Sequence, residues 1–223
     1  MLKILALGDC NTLGAGELQY QSYPERFAKY INASIKNCGY TMSTTREMLY
    51  FAKENIEDVD IVLIQYGLVD SWRTFKYSPY VLYYPDNIIR KYYRKLVKKY
   101  KKICKAIGLN TILGTQNVVP DREYRDNIES LIKYYPDKLF ILIDTIPNMA
   151  LWRNEEITRY NKILEDISMD NENTLYLKIY DIFLENFDFY YLDKTHINDR
   201  GYEFILSQLI KLYENIDKNK FSV

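Results

Sequence analysis

Two short stretches hold the residues whose types could do chemistry. Residues 8–14 read GDCNTLG and follow directly on the apolar run KILAL. A turn at the end of a strand presents its third residue, Cys10, beyond the sheet edge. Residues 191–202 read YLDKTHINDRGY and contain the only histidine, His196, three positions after Asp193. A carboxylate on such a loop can accept the imidazole N–H, fix its tautomer and stabilise the imidazolium. His196 is therefore the sole imidazole that could serve Cys10 as a base. The chemistry these residues fit is nucleophilic, with the Cys10 thiol as the attacking group. A thiol needs less activation than a hydroxyl, and a strand-to-helix turn is expected to favour the thiolate further. The same residues also fit a fold that only binds, with Cys10 a small buried side chain.

These stretches need a scaffold that brings them together. Short apolar runs at 2–7, 60–67, 139–147 and 174–183, with a weaker one at 33–39, read as strands. Helical patterns separate or follow them. One starts at SYPERFAKYI, with Ser22 and Glu25 spaced as a capping box and Pro24 in the first turn. The next, TTREMLYFAKEN, repeats the signal with Thr44 and Glu47. Further helices are expected at 121–134, 154–168 and 199–214, the last capped by Asn198. This alternation predicts a parallel sheet covered on both faces, with ligands beyond the carboxyl ends of the strands. Cys10, the turn at Gly67–Asp70 and the Asp193–His196 loop all fall there.

Residues 71–118 break the alternation. Within them, 86–107 reads DNIIRKYYRKLVKKYKKICKAI and carries nine basic residues against one acidic. On a helical wheel, Ile89, Tyr92, Tyr93, Leu96, Tyr100, Ile103, Cys104 and Ile107 share one face, and the lysines and arginines occupy the other. The expectation is an apolar stripe packed on the body and lysines facing out. The sharper reading is a docking face for an anionic membrane, carrier or substrate.

Taken together, these blocks resemble the GDSL/SGNH hydrolase family. GDCNTLG is similar to its first block, G-D-S-x-x-x-G, with Cys10 where serine stands. NCGYTMSTT resembles the second block, GLVD sits where the third has G-x-N-D, and DKTHIND matches the last. The resemblance spans nearly the whole chain, in the family's order. It implies a flavodoxin-like three-layer α/β/α sandwich with a five-stranded parallel sheet, as one domain over 1–223 with a basic helical insertion at about 71–118. It also implies acyl-ester hydrolysis or acyl transfer through a covalent acyl-enzyme, with Cys10 as nucleophile, His196 as general base and acid, and Asp193 orienting it. The oxyanion hole would use the backbone N–H groups of Cys10 and Met42. Met42 stands where the second block has glycine, and Val69 stands where the third has asparagine, which removes a side-chain donor. Losing one such donor costs roughly 10²–10³ in rate in other enzymes. Arg73 and Asn117 are candidates to replace it, and with Asp9 they are the candidate substrate-binding residues. The substrate implied is a small acyl ester or carbohydrate ester, for which the tyrosines of YSPYVLYYPD offer stacking surfaces.

Composition narrows the partners. Thirty basic residues balance 30 acidic ones, so the overall charge says nothing about a polyanionic partner, and no nucleic-acid partner is expected. Outside 86–107 the chain carries 21 basic and 29 acidic residues, which sharpens the contrast with that segment. Three cysteines at irregular spacing form neither a disulfide framework nor a zinc pattern. No metal or cofactor is expected. The opening apolar run is short for a signal peptide, and no stretch approaches the ~20 apolar residues of a membrane span. A cytoplasmic location is the expectation.

Overall fold

The computed structural model describes residues 1–215. Five parallel strands form the central sheet: β1 (Lys3–Gly8), β2 (Ser34–Gly39), β3 (Ile61–Gln65), β6 (Leu139–Ile143) and β7 (Thr174–Leu177). Their order is β2-β1-β3-β6-β7, with β1 and β3 in register from Ile4↔Ile61 to Gly8↔Gln65. The inner strands β3 and β6 are buried along their whole length, as continuous apolar runs require. Helices α2 (Tyr23–Tyr30) and α10 (Asp199–Glu214) cover one face, where Phe27, Tyr202 and Ile205 pack on Ile4 and Leu63. Helices α3 (Thr45–Asn55), α6 (Asp121–Tyr134) and α7 (Asn154–Asp170) cover the other, with Met48, Tyr124 and Leu164 against Leu5 and Ile64. This is the three-layer α/β/α sandwich with a five-stranded parallel sheet that the sequence predicts.

Helix starts follow the caps with one exception. At α3 the Thr44 hydroxyl accepts from the Arg46 N–H, and Glu47 accepts from the Thr44 N–H. At α10 the Asn198 side chain accepts from the Gly201 N–H. Ser22 does not cap α2; its hydroxyl donates to the Thr12 carbonyl at 2.6 Å and ties α2 to the first turn instead. The fifth strand is also shorter than expected. It ends at Leu177, and Tyr180–Glu185 forms helix α8, followed by α9 (Phe187–Tyr190).

Residues 71–118 leave and return through a small antiparallel ribbon, β4 (Arg73–Phe75) paired with β5 (Thr115–Asn117). Between them run α4 (Ile88–Ala106) and α5 (Leu109–Leu113). The buried Glu47 anchors the connection, accepting from the Tyr80 hydroxyl and the Tyr83 N–H. Helix α4 does not sit as its wheel suggests. Only Cys104 is buried, while Ile89, Tyr92 and Ile103 are 68%, 62% and 52% exposed. The least exposed side chains of the helix are Arg90, Arg94, Val97, Lys101 and Cys104. Of the apolar stripe, Tyr100 packs edge-on against Phe75 at 5.9 Å, while most of the rest is left open. Lys95, Lys98 and Lys102 are exposed, as expected. Among the described residues no helix is long and apolar enough to cross a membrane.

Candidate active site

The site is assembled at the carboxyl end of β1. Gly8 lets the chain turn there: a Cβ on it would stand 2.0 Å from the Thr12 hydroxyl oxygen and 2.9 Å from the Gln65 carbonyl. Cys10 opens α1 (Cys10–Leu13), a helix of four residues capped by Asp9, whose carboxylate accepts from the Asn11 N–H at 2.9 Å. Cys10 is 8% exposed and packs with Leu68, Ile157 and Tyr180. Its thiol is pushed up, first by burial and then by the Asp9 carboxylate. The expectation that this turn favours a thiolate is therefore corrected. So short a helix contributes little dipole, and a buried carboxylate neighbour opposes negative charge on sulfur.

Asp193 and His196 lie on the loop before α10. His196 Nδ1 is 2.7 Å from Asp193 Oδ2, and the other carboxylate oxygen accepts from the backbone N–H groups of Thr195 and His196 at 2.7 and 2.8 Å. Burial works against the Asp193 charge, but the His196 ring and these N–H groups outweigh it and hold the carboxyl below its usual range. The loop is fastened to the Cys10 turn by Asn11. Its Nδ2 donates to the Thr195 carbonyl at 3.1 Å, and its Oδ1 accepts from the Ile197 N–H at 3.3 Å. Asn148, after β6, donates to the Thr195 hydroxyl at 3.0 Å.

The remaining candidates divide. Met42 adopts φ +66°, the left-handed conformation that favours glycine, at the position where the resembling block has glycine. Val69 is buried beside it in the turn after β3, and both line one cavity of about 340 Å³. Asp9 is buried, and burial pushes its carboxyl up to about 6 against the pull of the Asn11 N–H, His196 and Arg153. Asn117 does not reach the site as a donor. Its side-chain amide donates to the Ser71 carbonyl and to Glu156, and its oxygen accepts from Arg159. Arg73 pairs with Glu156 at 3.0 Å. Asn117 is committed to these partners, whereas Arg73, paired through Nε, lines the same cavity as Met42 and Val69.

Arg153 is the residue sequence reasoning missed. It is 8% exposed, donates to the Leu68 carbonyl at 2.6 Å and stacks on Trp72, with 4.8 Å from the guanidinium carbon to the ring centroid. Burial pulls it down to about 10, while Asp9 and Cys10 favour its charge. A buried cation that senses both Asp9 and Cys10 and bonds the carbonyl of Leu68, the residue before Val69, is suited to meet negative charge developing at this corner. Among the described residues no group of three or more histidine, cysteine and acidic side chains could hold a metal.

Comparison with solved structures gives this arrangement a context. A lipase/acylhydrolase from Enterococcus faecalis superposes with TM-score 0.64 and 18% identity, over 95% of this chain and 94% of that one. A lipolytic protein of the G-D-S-L family from Veillonella parvula DSM 2008 gives 0.66 and 12%, over 97% and 100%. This chain has the fold of those proteins. An acetylxylan esterase from Geobacillus stearothermophilus shares the fold too, with TM-score 0.61 and 18% identity, over 94% and 93% of the chains. No protein-family model matches the chain, and no curated protein matches it.

Proposed function

We propose that this chain is a GDSL/SGNH-type acyl-ester hydrolase or acyltransferase working through a covalent acyl-enzyme on Cys10. On this reading residues 1–223 are one such unit, carrying 71–118 as an insertion. The observation that carries it is the Asn11 fastening, which couples the Cys10 turn to a loop bearing an Asp193–His196 pair. His196 takes the Cys10 thiol proton as sulfur attacks the ester carbonyl. The backbone N–H groups of Cys10 and Met42, with the Arg153 cation, oppose the charge on the tetrahedral oxygen. Collapse expels the alcohol, which receives the proton from His196, and leaves a thioester. Water or an acceptor hydroxyl, deprotonated by His196, then attacks the thioester and restores the thiol. Because the thiol is pushed up rather than down, the nucleophile depends on its base much as a serine would. The substrate is an acylated sugar or another small polar ester, and no cofactor takes part.

A second reading is supported by the missing asparagine at Val69 together with the raised thiol: a weakly active or inactive protein that binds in the same cleft. Turnover of 4-nitrophenyl acetate and butyrate separates the two. The parent should hydrolyse them, His196→Ala should lose at least about a hundredfold, and Cys10→Ala should be inert. Equal slow rates in all three would favour the binding protein.

On the same reading, 86–107 docks on an anionic surface. The open apolar stripe and the exposed lysine row beside it support that role.

A further inference from the structure

The cavity beside Met42 and Val69 has walls of unusual chemistry. Its floor is aromatic and aliphatic, with Trp72, Trp152, Val97 and Val118. Every charged side chain lining it is basic: Arg73, Arg94, Lys98 and Lys101. Two of these are neutralised, Arg73 by Glu156 and Arg94 by Asp86. Among the described residues, no carboxylate pairs with Lys98 or Lys101. Lys98 stands 5.8 Å from the centroid of the Tyr83 ring. Lys101 is half-buried, and burial with the nearby Arg46 pulls its ammonium below the usual range, so it gains from a negative partner.

We propose that this cavity holds an amphiphilic anionic ester, its apolar part against Trp72 and Trp152 and its phosphate or carboxylate on Lys98 and Lys101. The volume, about 340 Å³, lies within the range of small-molecule sites. Apolar walls with a few convergent polar groups both hold and orient such a ligand. The two lysines come from α4, so the insertion that interrupts the fold supplies the selectivity. Helix α4 faces Met42, Val69 and Trp152 across this cavity with Arg94, Val97, Lys98 and Lys101. Calling the ligand an ester rests on the proposed acyl-ester reaction; the anion site itself is read by binding alone.

Titration calorimetry with octyl phosphate, octyl glucoside and inorganic phosphate tests it, alongside turnover of 4-nitrophenyl butyrate. Octyl phosphate should bind at least about tenfold tighter than either of the others, because each of those lacks one half of the match. The Lys98→Ala/Lys101→Ala double variant should bind octyl phosphate and octyl glucoside equally. Lys99→Ala/Lys102→Ala, on the outward side of the same helix, should keep the preference. Equal affinities in the parent would overturn the proposal, and so would loss of preference in both double variants, which would mark a diffuse field. Butyrate turnover without phosphate preference would reject the anion site and leave the esterase reading standing. Lysine-dependent binding without turnover would do the reverse.

Discussion

Asn11 holds the backbone on both sides of His196, donating to the Thr195 carbonyl at 3.1 Å and accepting from the Ile197 N–H at 3.3 Å. It follows Cys10 directly, so any movement of the Cys10 turn is shared with the His196 loop. Asn11→Ala should strip a buried and a half-buried backbone group of their partner and cost about 1–3 kcal/mol in denaturant unfolding. Ester turnover should fall further than stability, because the loop carrying His196 loses its tether. Asn11→Asp keeps the acceptor for the Ile197 N–H and should recover part of the stability.

Asp70 gives the site a pH signature. It is fully buried; one oxygen accepts from the Thr45 N–H and hydroxyl, while Oδ2 has no partner among the described residues. Burial raises its carboxyl from 3.8 to about 7. Between those values the folded chain holds a proton that the unfolded chain has released. Its contribution to stability is therefore present at the acid end and lost as pH rises through about 7. Asp70→Asn removes the titration, so the variant should gain on the parent as pH rises from about 5 to about 8. Urea unfolding at the two pH values measures this. A gap between the two proteins that does not change with pH would contradict the assignment.

The corner formed by Arg153 and Val69 makes a paired prediction. If Arg153 supplies charge that Val69 cannot, Arg153→Met should lower kcat by roughly 10² or more with KM little changed. Arg153→Lys should recover part of the loss through its charge. Val69→Asn restores a side-chain donor and should raise kcat in the parent and partly rescue Arg153→Met. Steady-state kinetics on one short-chain ester covers all four proteins.

Helix α4 predicts behaviour at a membrane. With its apolar stripe open and its lysines exposed, the chain should sediment with vesicles rich in anionic lipid and much less with zwitterionic ones. Added salt should release a large part of the bound protein. Replacing Ile89, Tyr92 and Ile103 by serine should weaken binding at all salt concentrations. Salt-insensitive association, or concentration-dependent dimers without vesicle binding, would point to a second copy of the chain on this face.

Elements with strong local signals were readable in the sequence. Helix α6 spans the residues its periodicity gives, α10 also starts at its Asn198 cap, and β1, β3 and β6 are continuous apolar runs. Strands β4 and β5 escape because three residues carry no periodicity. The run after Leu177 alternates like a strand, yet Asp144 accepts from the Ile179 and Tyr180 N–H groups and turns the chain into α8. The wheel of α4 shows which residues share a face but not which face meets the body. Cys10, Asp193 and His196 stand out by type and spacing. Arg153 does not, since its approach to Cys10 depends on β6 lying beside β3, which only the sheet order determines. The direction of the Cys10 pKa depends on burial beside Asp9, again a tertiary fact.

That direction bears on Cys10→Ser. A site tuned for a thiolate would slow when sulfur becomes oxygen. Here burial and Asp9 oppose the thiolate, so the site resembles one built for a base-dependent hydroxyl. Cys10→Ser should therefore turn over short-chain esters at least as fast as the parent.

The most direct measurement is the intact mass of the protein after brief exposure to an activated short-chain acyl ester, followed by peptide mapping. The parent should gain one acyl group, on Cys10. His196→Ala should acquire it far more slowly, and Cys10→Ala should stay unmodified while Cys38 and Cys104, both buried, remain free. An unlabelled parent, or label on Cys10 that forms equally fast without His196, would contradict the account.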